Sequence, residues 1–142
     1  MKIAIASDHG GVELKNKIID YFKRLNFLDF GTNSTDSVDY PDYAKKVSKA
    51  ILSNQADLGI LICGTGIGIS IAANRYHGIR AALLYNDEVA KLAKQHNNAN
   101  ILVFGGRTMN ADDVIRRIEL FLNENFEGGR HQKRLDKIEQ TE

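Results

Sequence analysis

The sequence predicts an α/β fold: a three-layer, Rossmann-like (flavodoxin-like) arrangement with a five-stranded parallel sheet in the common order 2-1-3-4-5, and a C-terminal helical tail. Three observations predict it. Short apolar runs recur at 3–7, 27–30, 57–62, 80–85 and 100–104. The segments between several of them space their apolar residues three and four apart, as a helix with one buried face does. Several runs also stop at glycine turns, at 10–11, 31 and 105–106. Strands alternating with helices imply right-handed βαβ units, hence a parallel sheet with helices on both faces.

The elements follow in order. Ile3 to Ser7 is a strand ending in Asp8-His9-Gly10-Gly11. Residues 12–25 read as a helix, because Val12, Leu14, Ile18, Ile19, Phe22 and Leu25 share a face. A second strand, 27–30, closes at Gly31, and the polar stretch 32–39 reads as a loop. Pro41, the only proline, suits the first turn of a helix that continues through 43–52. The third strand leads into Cys63-Gly64-Thr65-Gly66-Ile67-Gly68, and a short helix is expected over 69–75. Residues 80–85 form the fourth strand, 87–95 a helix, and 100–104 the fifth strand. Asn110 or Asp112 begins the next helix, with Val114, Ile115, Ile118, Phe121 and Leu122 inside. Gly128-Gly129 then breaks the chain before a basic tail.

Composition narrows the classes. A chain of 142 residues, 43% hydrophobic and 26% charged, fits one globular domain over 1–142. A formal net charge of +1 supplies no global field for nucleic acid. The single cysteine excludes an internal disulfide framework and a cysteine cluster for zinc. No apolar run approaches the roughly 18 residues of a membrane span, and no leader-like segment opens the chain. A cytoplasmic protein with no membrane or nucleic-acid partner is expected.

The glycine loop is the first candidate site. Glycines at alternate positions let the backbone turn tightly and approach a ligand closely. Loop N–H groups and the first turn of the next helix attract an anion or a developing oxyanion. Cys63 stands at the mouth of this loop, where a helix N-terminus favours the reactive thiolate. In the expected strand order, ligands sit between the ends of strands one and three. Those ends carry Asp8-His9 and Cys63-Gly64-Thr65, an acid, an imidazole, a thiol and an anion-ready loop.

Each candidate also has a plainer reading. Cys63 is equally a small buried hydrophobe, and Asp8 an N-cap with glycine turn chemistry behind it. His96 suits a helix C-terminus, Asn97 C-terminal capping, and Tyr40 and Tyr43 packing beside Pro41. The tail places Arg130, Arg134 and Lys137 along one helical face, with Leu135 and Ile138 as an apolar edge. A helix so short needs a docking surface. It is either a solvated basic segment or an arginine pair that clamps a phosphate, in its own site or in a neighbouring subunit's. Neither a dinucleotide fingerprint nor a P-loop fits: Ile69 stands where the third glycine is needed, and no lysine follows Gly68. A phosphoacceptor domain would end strand three in Asp rather than Cys63.

Six motifs together resemble the type B ribose-5-phosphate isomerase family. They are Asp8-His9-Gly10-Gly11, Asp39-Tyr40-Pro41, Cys63 through Gly68, His96-Asn97-Asn98-Ala99, Gly105-Gly106-Arg107, and Arg130-His131-Gln132-Lys133-Arg134. The resemblance covers nearly the whole chain. It implies interconversion of ribose 5-phosphate and ribulose 5-phosphate with no metal and no cofactor. It also implies a homodimer or homotetramer with shared active sites. Carried over by position, Cys63 is the base, and the amides of Gly64, Gly66, Ile67 and Gly68 hold the enediolate with help from Thr65. His96 opens the furanose ring. Asp8 and Asn97 contact sugar hydroxyls or the ring oxygen. His9, Arg107, Arg130 and Arg134 meet the phosphate, some across the dimer, and Tyr40 lines the pocket. Another branch carries a glutamate base at the position of Ile69, so this chain resembles the cysteine branch. Isomerases of allose 6-phosphate, galactose 6-phosphate and tetrulose phosphates share most of the pattern. A sugar-phosphate-binding regulatory module without chemistry is the rival class; an intact Cys63 with His96 weighs against it.

Overall fold

The computed structural model of the protein describes residues 1–140. Strands and helices alternate: β1 (Lys2–Ser7), α1 (Val12–Tyr21), β2 (Asn26–Asp29), α2 (Tyr40–Leu52), β3 (Leu58–Cys63), α3 (Ile67–Ala73), β4 (Ala81–Leu83), α4 (Asp87–Gln95), β5 (Ile101–Gly105), α5 (Ala111–Leu122) and α6 (Arg130–Glu139). The five strands form one sheet in which every pairing is parallel. This is the three-layer α/β class that the sequence predicts.

The strand order differs from expectation at one edge. It runs β2-β1-β3-β5-β4, not 2-1-3-4-5. Burial gives the reason. Every residue of β5 is buried, as suits a central strand, whereas the three residues of β4 are all half-buried. A short, partly exposed strand is one way to blunt a sheet edge. The reversal of direction between β1 and β3 is unaffected, so the crevice expected there keeps its place.

Alternate strand residues point to opposite faces, and each face has its own core. On one side Ile3, Ile5, Ile60, Ile62, Leu102 and Phe104 pack with Leu14 and Ile18 of α1, Ala90 and Ala93 of α4, and Val114, Ile118 and Phe121 of α5. On the other, Ala4, Ala6, Leu61, Ile101 and Val103 meet Ala44 and Val47 of α2 and Ile69 and Ala73 of α3. Burying each large apolar side chain contributes about 1.5–3 kcal/mol before the entropy cost of ordering it.

Helix boundaries follow local chemistry. α1 stops at Tyr21, short of Leu25, because Phe22 turns into the core and the Leu25 N–H donates to the Phe22 carbonyl (3.0 Å). α3 begins at Ile67, ahead of the expected 69, because Gly66 caps it from the left-handed region (φ 82°). For α5, Asn110 is the cap; its Oδ1 accepts from the Asp112 N–H at 2.8 Å. Pro41 lies in the first turn of α2 as expected. On α6, Leu135 is buried with His131, while Ile138 is left 52% exposed. Among the described residues, no helix is long and apolar enough to cross a membrane.

Candidate active site

Three strand ends are stitched together at the carboxyl edge of the sheet. The Asp8 N–H donates to the Ile62 carbonyl (3.1 Å), the Gly106 N–H to the Cys63 carbonyl (2.8 Å), and the Arg107 N–H to the Gly64 carbonyl (2.9 Å). Glycine makes this approach possible. A Cβ on Gly10 would lie 3.2 Å from the Gly64 nitrogen, and one on Gly66 would lie 3.0 Å from the Phe104 carbonyl. The loops carrying Asp8-His9, Cys63–Gly68 and Gly106-Arg107 therefore surround one crevice, as the sequence expects for the first two.

Each group there is held. Cys63 is buried, and the Gly66 N–H donates to its Sγ at 3.2 Å. Thr65 Oγ1 accepts from the Ile67 N–H at 3.2 Å, which fixes the first turn of α3. Asp8 is 6% exposed and accepts from the Gly10 N–H at 2.8 Å. The His9 ring nitrogen Nδ1 accepts from the Val38 N–H at 3.2 Å, so in the neutral ring the proton sits on Nε2. The Tyr40 ring lies directly on Gly68: a Cβ there would be 2.6 Å from its Cζ. Arg107 is exposed and borders, with His9, Gly10 and Gly106, a cleft of about 580 Å³ that runs outward along α1.

The remaining sequence candidates are elsewhere. His96 caps the C-terminus of α4, and Asn97 follows it. α4 starts beyond the carboxyl end of β4 and runs back, so its end lies at the amino edge of the sheet, just ahead of Ile101. Arg80, at the start of β4, clamps this turn: its Nε donates to the carbonyls of Asn97 (3.2 Å) and Asn98 (3.0 Å). The five residues of β5 separate the two edges, about 16 Å of strand. Arg130 and Arg134 stand on α6, also at the amino edge, both exposed. Among the described residues neither takes part in an ion pair. One chain thus brings Asp8, His9, Tyr40, Cys63, Gly64, Thr65, Gly66, Ile67, Gly68 and Arg107 together, and sets His96, Asn97, Arg130 and Arg134 apart.

Two groups at the amino edge escaped sequence reasoning. His131 is buried, and its ring stacks on His96 with centroids 4.2 Å apart and an 11° tilt. Glu127 faces both rings, its Oε1 lying 3.3 Å from His131 Nε2 and 3.9 Å from His96 Nε2. Burial first, then the nearby Arg130 charge, holds the His131 imidazole below its ordinary range. The four-residue step from Glu127 to His131 was visible in the sequence; its meaning depends on α6 docking beside α4.

The fold and the crevice define the class first: a small Rossmann-like domain whose sheet switch point is shaped for a small anionic ligand. The family model described as Ribose/Galactose Isomerase matches residues 3–138, and the chain belongs to that family. It is 42% identical over 139 residues to ribose-5-phosphate isomerase B of Escherichia coli, covering 96% of this chain and 93% of that one. A solved ribose 5-phosphate isomerase from Thermotoga maritima is 56% identical, with a TM-score of 0.97 over 99% of this chain and 98% of its own. Ribose-5-phosphate isomerase B of Mycoplasma genitalium, solved with bound ribulose-5-phosphate, is 46% identical, with a TM-score of 0.93 over 98% of this chain and 94% of its own.

Proposed function

We propose that this enzyme interconverts D-ribose 5-phosphate and D-ribulose 5-phosphate through an enediolate, with Cys63 as the base. The observation that carries the reading is the meeting, at the carboxyl edge of the sheet, of the Cys63 loop, where the Gly66 N–H donates to Sγ, with the loops that carry Asp8-His9 and Arg107. The bound ribulose-5-phosphate in the Mycoplasma genitalium relative supports the substrate class.

The chemistry needs three things. A base must sit near the transferred proton; Cys63 as thiolate takes it from C2 and returns it to C1. Fixed donors must face the oxygen where enediolate charge develops, and the amides of Gly64, Gly66, Ile67 and Gly68 are such donors, with the loop braced by Thr65. Remote binding must hold the reacting carbons in register. His9 through Nε2–H, Arg107, Arg130 and Arg134 would grip the phosphate, and Asp8, Asn97 and Tyr40 the sugar. His96 would protonate the ring oxygen to open the furanose.

Two copies of the chain are needed for that set. His96, Asn97, Arg130 and Arg134 lie at the edge opposite Cys63, so a full site pairs the carboxyl edge of one subunit with the amino edge of its partner. We infer a homodimer, or a tetramer of such pairs, working in the cytoplasm within the pentose phosphate pathway.

A coupled assay tests the reading by comparing ribose 5-phosphate with allose 6-phosphate. Fast turnover of the pentose is expected, and Cys63→Ala should cut it by about 10²–10⁴-fold, the usual contribution of a general base. Turnover unaffected by that substitution would remove Cys63 as the base. Preference for allose 6-phosphate would reassign the substrate.

A further inference from the structure

We propose that Lys15 is a positioning residue for the phosphate grip: through Asp29 and Asn33 it holds the 31–38 loop against His9, and the loop in turn presents His9 Nε2–H to the ligand. The effect on phosphate binding rests on the isomerase reading above; the hold on His9 does not.

Lysine is almost never fully buried unless paired, and an ammonium taken out of water needs partners for its three donors. Lys15, on the inner face of α1 and 0% exposed, has all three. Its Nζ donates to both Asp29 carboxylate oxygens at 2.8 Å and to Asn33 Oδ1 at 2.7 Å. Packing alone does not call for it. α1 already enters the core through Leu14 and Ile18, and apolar residues of similar volume often replace a buried ion pair at no loss of stability. What an apolar residue would not do is fix the loop.

The loop is fastened in two places. Asp29 Oδ1 also accepts from the Gly31 N–H at 2.9 Å. The Ser7 N–H then donates to the Gly31 carbonyl (2.7 Å) and the Thr32 N–H to the Ser7 carbonyl (2.8 Å), which sets this turn beside Asp8-His9. Residues 33–37 beyond it are polar and exposed, so packing does not hold them. Among the described residues two hydrogen bonds tie 33–38 to the rest of the chain: Lys15 Nζ to Asn33 at one end, and the Val38 N–H to His9 Nδ1 (3.2 Å) at the other. The second bond makes Nδ1 the acceptor and leaves the proton on Nε2. Thr35 of the same loop lines the cleft with His9 and Arg107. Freed at Asn33, the loop must be ordered anew each time Val38 meets His9. The ring then visits the other tautomer, which offers an acceptor where a phosphate oxygen needs a donor.

The test reads His9 directly. Nitrogen-15 NMR of the full-length protein, at a pH where imidazoles are neutral, separates a ring locked as Nε2–H from one that averages both tautomers; His9→Ala identifies the signal. The wild-type protein should show the locked form. Asn33→Ala, at an exposed position, cuts the arm and leaves the buried pair. Lys15→Met removes both, and Asp29, 32% exposed, can then take water. Each should move the His9 nitrogens toward the averaged position, and Asn33→Ala decides the matter if Lys15→Met does not fold. An unchanged His9 signal in either folded variant would overturn the hold on His9. This readout stands whether or not the chain turns over ribose 5-phosphate. KM for that sugar should rise roughly three- to tenfold in Asn33→Ala with kcat changed by less than about twofold, since the loop serves binding rather than proton transfer. On top of His9→Ala, the same substitution should add nothing, because both act through one ring. An unchanged KM, or effects that multiply in the double variant, would remove the loop from the phosphate grip.

Discussion

At the carboxyl edge of the sheet the groups that meet are backbone amides and short side chains, placed by glycine turns at the ends of β1, β3 and β5. At the amino edge they are long side chains, His96, Asn97, Glu127, Arg130, His131 and Arg134, presented by the ends of α4 and α6. The first edge is rigid because backbone hydrogen bonds of 2.8–3.1 Å cross between its loops. The second owes its order to the docking of α6 and to the grip of Arg80 on the 97–98 carbonyls. Fixed donors suit a place where charge develops during reaction. Longer side chains suit reaching toward another subunit's ligand. On the proposed reading, the contrast teaches that one chain holds two halves of a site, each built for its own task.

The sharpest way to break this division is complementation. Cys63→Ala and His96→Ala should each lose about 10²–10⁴-fold in turnover. If the halves meet across a symmetric pair, mixed dimers of the two inactive variants carry one intact site in two. Random reassembly should then recover about a quarter of wild-type activity. Continued inactivity in a mixture shown by mass to contain heterodimers would mean that the edges do not cooperate.

Arg134→Ala should come next in size. A charge-assisted hydrogen bond is worth about 1.5–3 kcal/mol, so KM should rise roughly 10- to 100-fold with a smaller change in kcat. An unchanged KM would leave Arg134 a solvated side chain on a docked helix. Restoration of a normal KM in mixed dimers with Cys63→Ala would place Arg134 in the partner's site.

The two edges also differ in how far the sequence disclosed them. Cys63 through Gly68 is contiguous, so its glycine pattern and its position after an apolar strand could be read directly. Asp8-His9 followed from the fold class, because the common strand order puts the switch between β1 and β3, and that part of the order holds. The order of β4 and β5 did not follow, since residues 80–85 and 100–104 are similarly apolar and only tertiary burial ranks them. The Glu127–His131–His96 contact was hidden for a related reason. It depends on where a short amphipathic helix docks, and a helix with one apolar residue per turn does not name its surface. Lys15 was hidden too. A lysine in mid-helix reads as solvent-facing, yet this one is fully buried, bonding Asp29 at 2.8 Å and Asn33 at 2.7 Å to pin the loop that holds His9.

Within the carboxyl edge, Gly66→Ala should cost about 1–3 kcal/mol of stability. The left-handed φ of 82° disfavours a Cβ, which would also meet Leu83 Cδ1 at 2.6 Å and the Phe104 carbonyl at 3.0 Å. Chemical denaturation measures it; a midpoint within error of wild type would mean that the loop relaxes at no cost and is not rigid.

Gly68→Ala, two residues on, should do least to stability and still touch function. Its φ carries no penalty, and the atoms a new Cβ would meet belong to the Tyr40 ring, at 2.6–2.9 Å. Tyr40 is 38% exposed, so the ring can swing outward where Phe104 backbone cannot. Stability should therefore change by less than about 1 kcal/mol, while KM rises a few-fold as the ring leaves the loop. Tyr40→Ala should reproduce that KM and make Gly68→Ala silent on top of it, because both substitutions remove the same contact. Additive effects in the double variant would mean that Gly68 is required for a ligand's approach to the backbone itself, rather than for the tyrosine that covers it.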